Sequence, residues 1–287
     1  MRHLLALIKD PQLSEKFIEY AAGFARELKT DIHFLYVVNH MMHPLGTPNL
    51  SGVAYAQLQR TMEQKVESAR DSISKMSKEI MQRIANDVQF EVSARLGSEI
   101  TLINEMVESG KVQMVMIDGR DMDSFWKKES LVKDLIRQIS CPVWIIPEKM
   151  DFTPFKNIVY ATDYNEEDIP TLKNLIDLTH WFSPKITALH ISDRSDFELR
   201  IKNAGFQKML ESNTNYSQIS AKAVIEKNGA DMAGMINEYA SGVSADLIVV
   251  LKENRRFLER IFKSSSTDKL VEETSRPLLV LQENNEQ

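Results

Sequence analysis

Four consecutive hydroxyl side chains, Ser264, Ser265, Ser266 and Thr267, follow a pair of arginines, Arg255 and Arg256, within the stretch KENRRFLERIFKSSSTDKL at 252–270. Apolar runs flank the stretch, DLIVVL at 246–251 and RPLLVL at 276–281. A strand, a basic loop and a hydroxyl-rich turn opening a helix suit phosphate binding. The first N–H groups of a helix lack intrahelical acceptors, and its dipole favours an anion there. Phosphate cradles also use glycine, which lets backbone N–H groups approach the oxygens closely, and this stretch contains none. The same residues admit a plainer reading, in which Ser264 or Ser265 caps the helix through Leu270 and Val271 and the arginines are solvated.

Other chemically able residues form weaker patterns. His33, His40 and His43 are neighbours in sequence, but no cysteine accompanies them and HMMHPLGTPN at 40–49 reads as a loop. Surface histidines are expected there rather than zinc ligands. His180 and His190 read as helix-end and strand residues. Cys141 is the single cysteine; it excludes an internal disulfide and a thiolate zinc site, and its place beside Pro142 suits packing. The G-x-G-x-x-G, Walker A and G-x-S-x-G patterns are missing, which removes the main support for a dehydrogenase, a P-loop NTPase or an α/β-hydrolase.

The elements that must position these residues come from a duplication. HLLALIKD at 3–10 matches NIVYATDY at 157–164, DIHFLYVVN at 31–39 matches KITALHISD at 185–193, INEM at 103–106 matches INEY at 236–239, and LIRQISCPVWIIPE at 135–148 matches LVEETSRPLLVLQE at 270–283. Each half alternates short aliphatic runs with helical patterns, which implies βαβ units around a parallel sheet. Strands are expected near 3–9, 31–38, 88–95, 112–118 and 142–147, then near 157–163, 185–192, 219–226, 246–251 and 277–282. A Met-rich apolar stripe from Leu58 through Met62, Val66, Ala69, Ile73, Met76 and Ile80 to Ile84 makes 52–86 one long amphipathic helix, with core filling as the expected role of its methionines. Its counterpart near 195–212 is shorter. The seam EKMDFTPFK at 148–156 reads as a short linker.

In this order and repetition, the chain resembles a tandem universal stress protein. The resemblance rests on NIVYATDYNEED at 157–168, ADLIVVL at 245–251, the hydroxyl-rich turn, and the closing runs SCPVWII at 140–146 and SRPLLVL at 275–281. It implies an α/β fold: two tandem five-stranded parallel-sheet αβα sandwich domains of the adenine-nucleotide α-hydrolase-like kind, at 1–149 and 154–287, packed as a pseudo-dimer through their last strands. It also implies ATP with Mg as the ligand of the second half. Its nucleotide loop, Gly-x2-Gly-x9-Gly-(Ser/Thr), falls on Leu251, Asn254, Ser264 and Ser265, so all three glycines are replaced. Asp163 would lie at the adenine end, Ser265 and Ser266 would face the phosphates, and Arg255 or Arg256 would supply charge. In the first half the loop positions fall on Met116, Gly119, Glu129 and Ser130. Lys9 there replaces the first-strand aspartate, and Glu129 would repel phosphate, so no nucleotide is expected in that half.

A chain of 287 residues with a formal charge of −6 lacks the basic face that nucleic acid or an anionic membrane calls for. No apolar run approaches the roughly 20 residues of a membrane span, and a cytoplasmic location is expected. Three functions fit: a stress-response regulatory module with at most one degenerate nucleotide site, acting through an unknown protein partner or through ligand occupancy, with a homodimer as an assembly open to it; an ATP-hydrolysing or adenylating enzyme; and a structural adaptor with both sites empty. No His/Asp/Ser arrangement at recognisable spacing supports the enzyme.

Overall fold

A computed structural model describes residues 3–39, 52–119, 131–193, 195–226, 232–252 and 276–282. Within it the chain divides into two compact units.

The first unit contains β1 (His3–Ile8), α1 (Glu15–Leu28), β2 (Asp31–Asn39), α2 (Gly52–Ile84), β3 (Phe90–Gly97), α3 (Glu99–Glu108) and β4 (Met114–Asp118). Its strands lie side by side in the order β3-β2-β1-β4, with every resolved pairing parallel. Aliphatic side chains on both faces of β1 and β4 explain their central place: Leu4 to Ile8 and Met114 to Ile117 are all buried. Helix α1 buries Phe17, Ile18, Ala21, Phe24 and Ala25 as its 3.6-residue period requires, and Tyr20, Ala22 and Gly23 as well. The α2 stripe is core filling at Met62, Ala69, Ile73 and Ile80, all buried.

The second unit contains α4 (Leu131–Gln138), β5 (Val143–Ile146), β6 (Asn157–Ala161), α5 (Asp168–Thr179) with a 3-10 turn at His180–Phe182, β7 (Lys185–Ser192), α6 (Phe197–Thr214), β8 (Ile219–Ile225), α7 (Met232–Gly242), β9 (Leu247–Leu251) and β10 (Leu278–Leu281). The strand order is β5-β10-β9-β6-β7-β8. Four of its pairings are parallel; β5 runs antiparallel to β10, with Leu278 opposite Ile145, Leu279 opposite Trp144 and Val280 opposite Val143. The duplication thus counts five strands per repeat, whereas packing assigns β5, the closing strand of the first repeat, to the second unit. Two short apolar closing strands pair with each other, as their sequences invite.

The expected short linker at the seam is packed down by its aromatic residues. Phe152 packs edge-on against Tyr20 and Phe24, with ring centroids 5.4 and 5.9 Å away. Phe155 stacks on Trp144 at 5.8 Å and meets Phe182 edge-on at 5.2 Å. Gly23 explains the close seat of Phe152, since a Cβ there would stand 3.1 Å from its ring. An aromatic residue at each end of the seam therefore anchors it, one in each unit.

Candidate functional site

Open parallel sheets place ligands outside the carboxyl ends of their strands. In the second unit, β6 and β7 pair with Ala161 opposite Leu189, and the Thr162 N–H donates to the Leu189 carbonyl at 3.0 Å. This register brings Thr162, Asp163 and Tyr164 to the same end as His190. The Asp163 side chain is 35% exposed, and its Oδ1 lies 3.7 Å from His190 Nδ1. That nitrogen is 2.9 Å from the Thr162 carbonyl oxygen, so a protonated Nδ1 donates to the carbonyl and presents its N–H to the carboxylate.

Tyr164 stands in the left-handed region, at φ 60°. Its ring stacks on His190 with centroids 4.4 Å apart and tilts against Phe206 at 5.0 Å. Its hydroxyl donates to Asn203 Oδ1 at 2.6 Å, and burial pushes the phenol up to about 12. Asn203 and Phe206 both lie on α6.

Beneath this turn Asp168, the first residue of α5, is 1% exposed. Its carboxylate accepts from the Tyr160 hydroxyl and the Thr162 hydroxyl, each at 2.6 Å, and from the Asn165 N–H at 2.9 Å. Burial raises its pKa, against those hydrogen bonds and with help from the Asp163 charge. Thr162 Oγ1 in turn accepts from the Tyr164 N–H at 2.8 Å. The buried carboxylate thus fixes the whole turn from which Asp163 and Tyr164 project.

A model of the universal stress protein family matches residues 1–147 and again residues 154–282. The chain belongs to the universal stress protein family. No curated protein matches it in sequence. Among solved structures, a universal stress protein from Archaeoglobus fulgidus DSM 4304 is similar over 99% of this chain and 97% of its own, at TM-score 0.63 and 14% identity. A functionally unknown protein from Pseudomonas aeruginosa PAO1 is similar over 99% and 93%, at 0.56 and 13%. The cytoplasmic domain of a prokaryotic cation chloride cotransporter is similar over 98% and 95%, at 0.52 and 12%. At these identities the likeness is one of fold.

In this universal stress protein Asp163 stands at the expected strand end. Leu251 closes β9 with 2% of its surface exposed and pairs with Leu281, so its side chain belongs to the core. Asn254, Arg255, Arg256, Ser264, Ser265 and Ser266 lie outside the described residues, as do Glu129, Ser130, His40 and His43. Strand pairing moves the loop register of the first half. Leu4 faces Met114 and Ile158 faces Leu247, so Asp118 rather than Met116 takes the place of Leu251. Asp118 is buried, so a carboxyl stands in the first half where the second half has the apolar Leu251. Gly97 ends β3 at φ 150°, a conformation suited to glycine, and Ser98 holds the cap position of α3 without a side-chain cap bond.

The sequence reading missed Tyr164, Asp168, Asn203 and Phe206. A faint signal was present: a threonine at a strand end followed six residues later by an aspartate that opens a helix. His33 lies on the expected strand, but it is not a surface histidine. It lies half-buried on β2, with Nε2 2.6 Å from Ser93 Oγ and Nδ1 3.5 Å from Glu91 Oε2, bordering a cleft of about 530 Å³. Burial lowers its pKa, and the Arg95 and Lys111 charges push the same way against Glu91. Among the described residues, no group of three or more His, Cys, Asp or Glu could hold a metal ion, and no helix is long and apolar enough to cross a membrane.

Proposed function

We propose that this universal stress protein is a regulatory binding module, with domains at 1–149 and 154–287 and one weak nucleotide site, in the second. The reading is carried by one observation: a partly exposed carboxylate, Asp163, at the carboxyl ends of β6 and β7, 3.7 Å from His190 Nδ1, where the first half has Lys9. A carboxylate there accepts from the exocyclic amine of an adenine. Ser265, Ser266 and the helix start expected after them from the sequence would take the phosphates, and Arg255 or Arg256 would supply the charge needed without glycine-mediated backbone approach. ATP with Mg is the ligand proposed. The missing glycines keep affinity low, which suits a sensor of nucleotide level or a partner-binding module better than an enzyme. We place the protein in the cytoplasm, with a protein partner or a second copy as the receiver of the signal.

Calorimetry with Mg-ATP on wild type, Arg255→Ala/Arg256→Ala and Ser265→Ala tests this. The double arginine variant is expected to lose about 3 kcal/mol or more, the scale of two charge-assisted hydrogen bonds. Equal binding by all three proteins removes the loop from the site. Absence of wild-type binding at millimolar ATP leaves the serines as a helix cap. Steady release of ADP or AMP over hours would make the protein an enzyme instead.

A further inference from the structure

The two repeats place very different side chains at two equivalent positions. Tyr164 of the second repeat corresponds to Asp10 of the first, and His190 to Tyr36. In the first unit Asp10 folds back on its own turn, its Oδ1 accepting from the Gln12 N–H at 2.7 Å. A cleft of about 560 Å³ lies open beside this turn at the carboxyl end of β2, at Pro11, Tyr36 and Asn39, and Met62, Lys65 and Ala69 of α2. In the second unit the corresponding space, between the ends of β6 and β7 and α6, holds the Tyr164 ring. It lies between His190 and Phe206, with its hydroxyl tied to Asn203.

We infer that Tyr164 is a built-in occupant of the second unit's ligand cleft, and that an aromatic base enters only when this ring swings out. The inference rests on the reading that the ends of β6 and β7 receive the base. The backbone supports it independently. Tyr164 keeps its φ of 60° through its main chain, whose N–H donates to Thr162 Oγ1 at 2.8 Å, so the ring, held by one stack, one ring contact and one hydrogen bond, can leave the cleft while the turn stays in place. A flat aromatic ring on the His190 imidazole also offers the kind of contact that a purine would make in its place. Asp163, immediately before Tyr164, remains partly exposed, so its carboxylate is available to a base that displaces the tyrosine. Ligand occupancy and the position of Tyr164 against α6 are thereby one equilibrium, which gives the module a moving part on its surface helix.

Mg-ATP titrated by calorimetry into wild type and Tyr164→Gly, with the His190 imidazole followed by NMR, tests the inference. Glycine accepts the positive φ, so the turn survives the substitution. Tyr164→Gly is expected to bind about tenfold more tightly, because the competing stack and hydrogen bond are gone. Its His190 resonances should shift without ligand, and ATP should shift the wild-type resonances in the same direction. Tyr164→Phe, which keeps the stack and loses the bond to Asn203, should fall between. Equal affinities of wild type and Tyr164→Gly overturn the inference and leave the nucleotide reading standing. Weaker binding by Tyr164→Gly also overturns it, since the ring would then be a wall of the base pocket. Binding by neither protein overturns both.

Discussion

The Thr162 hydroxyl donates to Asp168 Oδ2 at 2.6 Å, joining the end of β6 to the first turn of α5. Tyr160 and Asn165 complete the same acceptor. Asp168→Ala leaves these three donors without it, and a buried unsatisfied group costs about 1–3 kcal/mol, so a loss of about 3 kcal/mol is expected in urea denaturation. Because burial raises the folded pKa above that of an ordinary aspartate, the fold binds this proton more tightly than the unfolded chain. The contribution is full below the unfolded value and is lost as pH rises through the folded one. Asp168→Asn should flatten that part of the stability profile.

His33 titrates in the opposite sense. Its folded pKa lies below 6.5, so the unfolded chain binds the proton more readily. Its contribution is full above the unfolded value and is lost as pH falls through the folded one. Urea midpoints at about pH 7.5 and about pH 5 should differ more for wild type than for His33→Gln. Equal differences would show that the imidazole does not contribute.

Trp144 lies fully buried on β5, opposite Leu279 of β10 and stacked on Phe155. Trp144→Ala is expected to cost about 4 kcal/mol by cavity formation. A fragment of residues 151–287 lacks β5, leaving the β10 edge bare, and should self-associate on gel filtration. A well-behaved monomeric fragment would mean that β10 does not need this partner.

Gln207 on α6 protects the outer edge of β8, its Oε1 accepting from the Ala221 N–H at 2.6 Å. Strand β8 pairs only with β7 among the described strands, so that N–H faces away from the sheet. Gln207→Ala should cost about 1 kcal/mol and increase association at high protein concentration, read by light scattering. No change in either would leave Gln207 as an ordinary surface residue.

Repetition and hydrophobic period were enough to read the strands and helices, because a buried parallel strand must be apolar on both faces and a covering helix on one. Leu4 to Ile8, Met114 to Ile117 and the α1 stripe are legible for that reason. Asp163 was legible too, as a carboxylate at a strand end whose repeat partner is Lys9. The loop register of the first half was misread by two residues, since counting back from Pro142 assumes loops of equal length. From Asp118 to Pro142 is 24 residues, against 26 from Leu251 to Pro277.

The sequence by itself determined the duplicated α/β architecture, the family and the strand-end carboxylate, all of which follow from short-range pattern and order. Only the tertiary structure decided that β5 joins the second unit, that Phe152 and Phe155 anchor the seam, and that Tyr164 lies on His190 beneath α6. Those relations depend on distant segments meeting. Tyr164 and Asn203 are 39 residues apart, and no local propensity records whether an aromatic side chain after a strand turns toward solvent or into the cleft beside it.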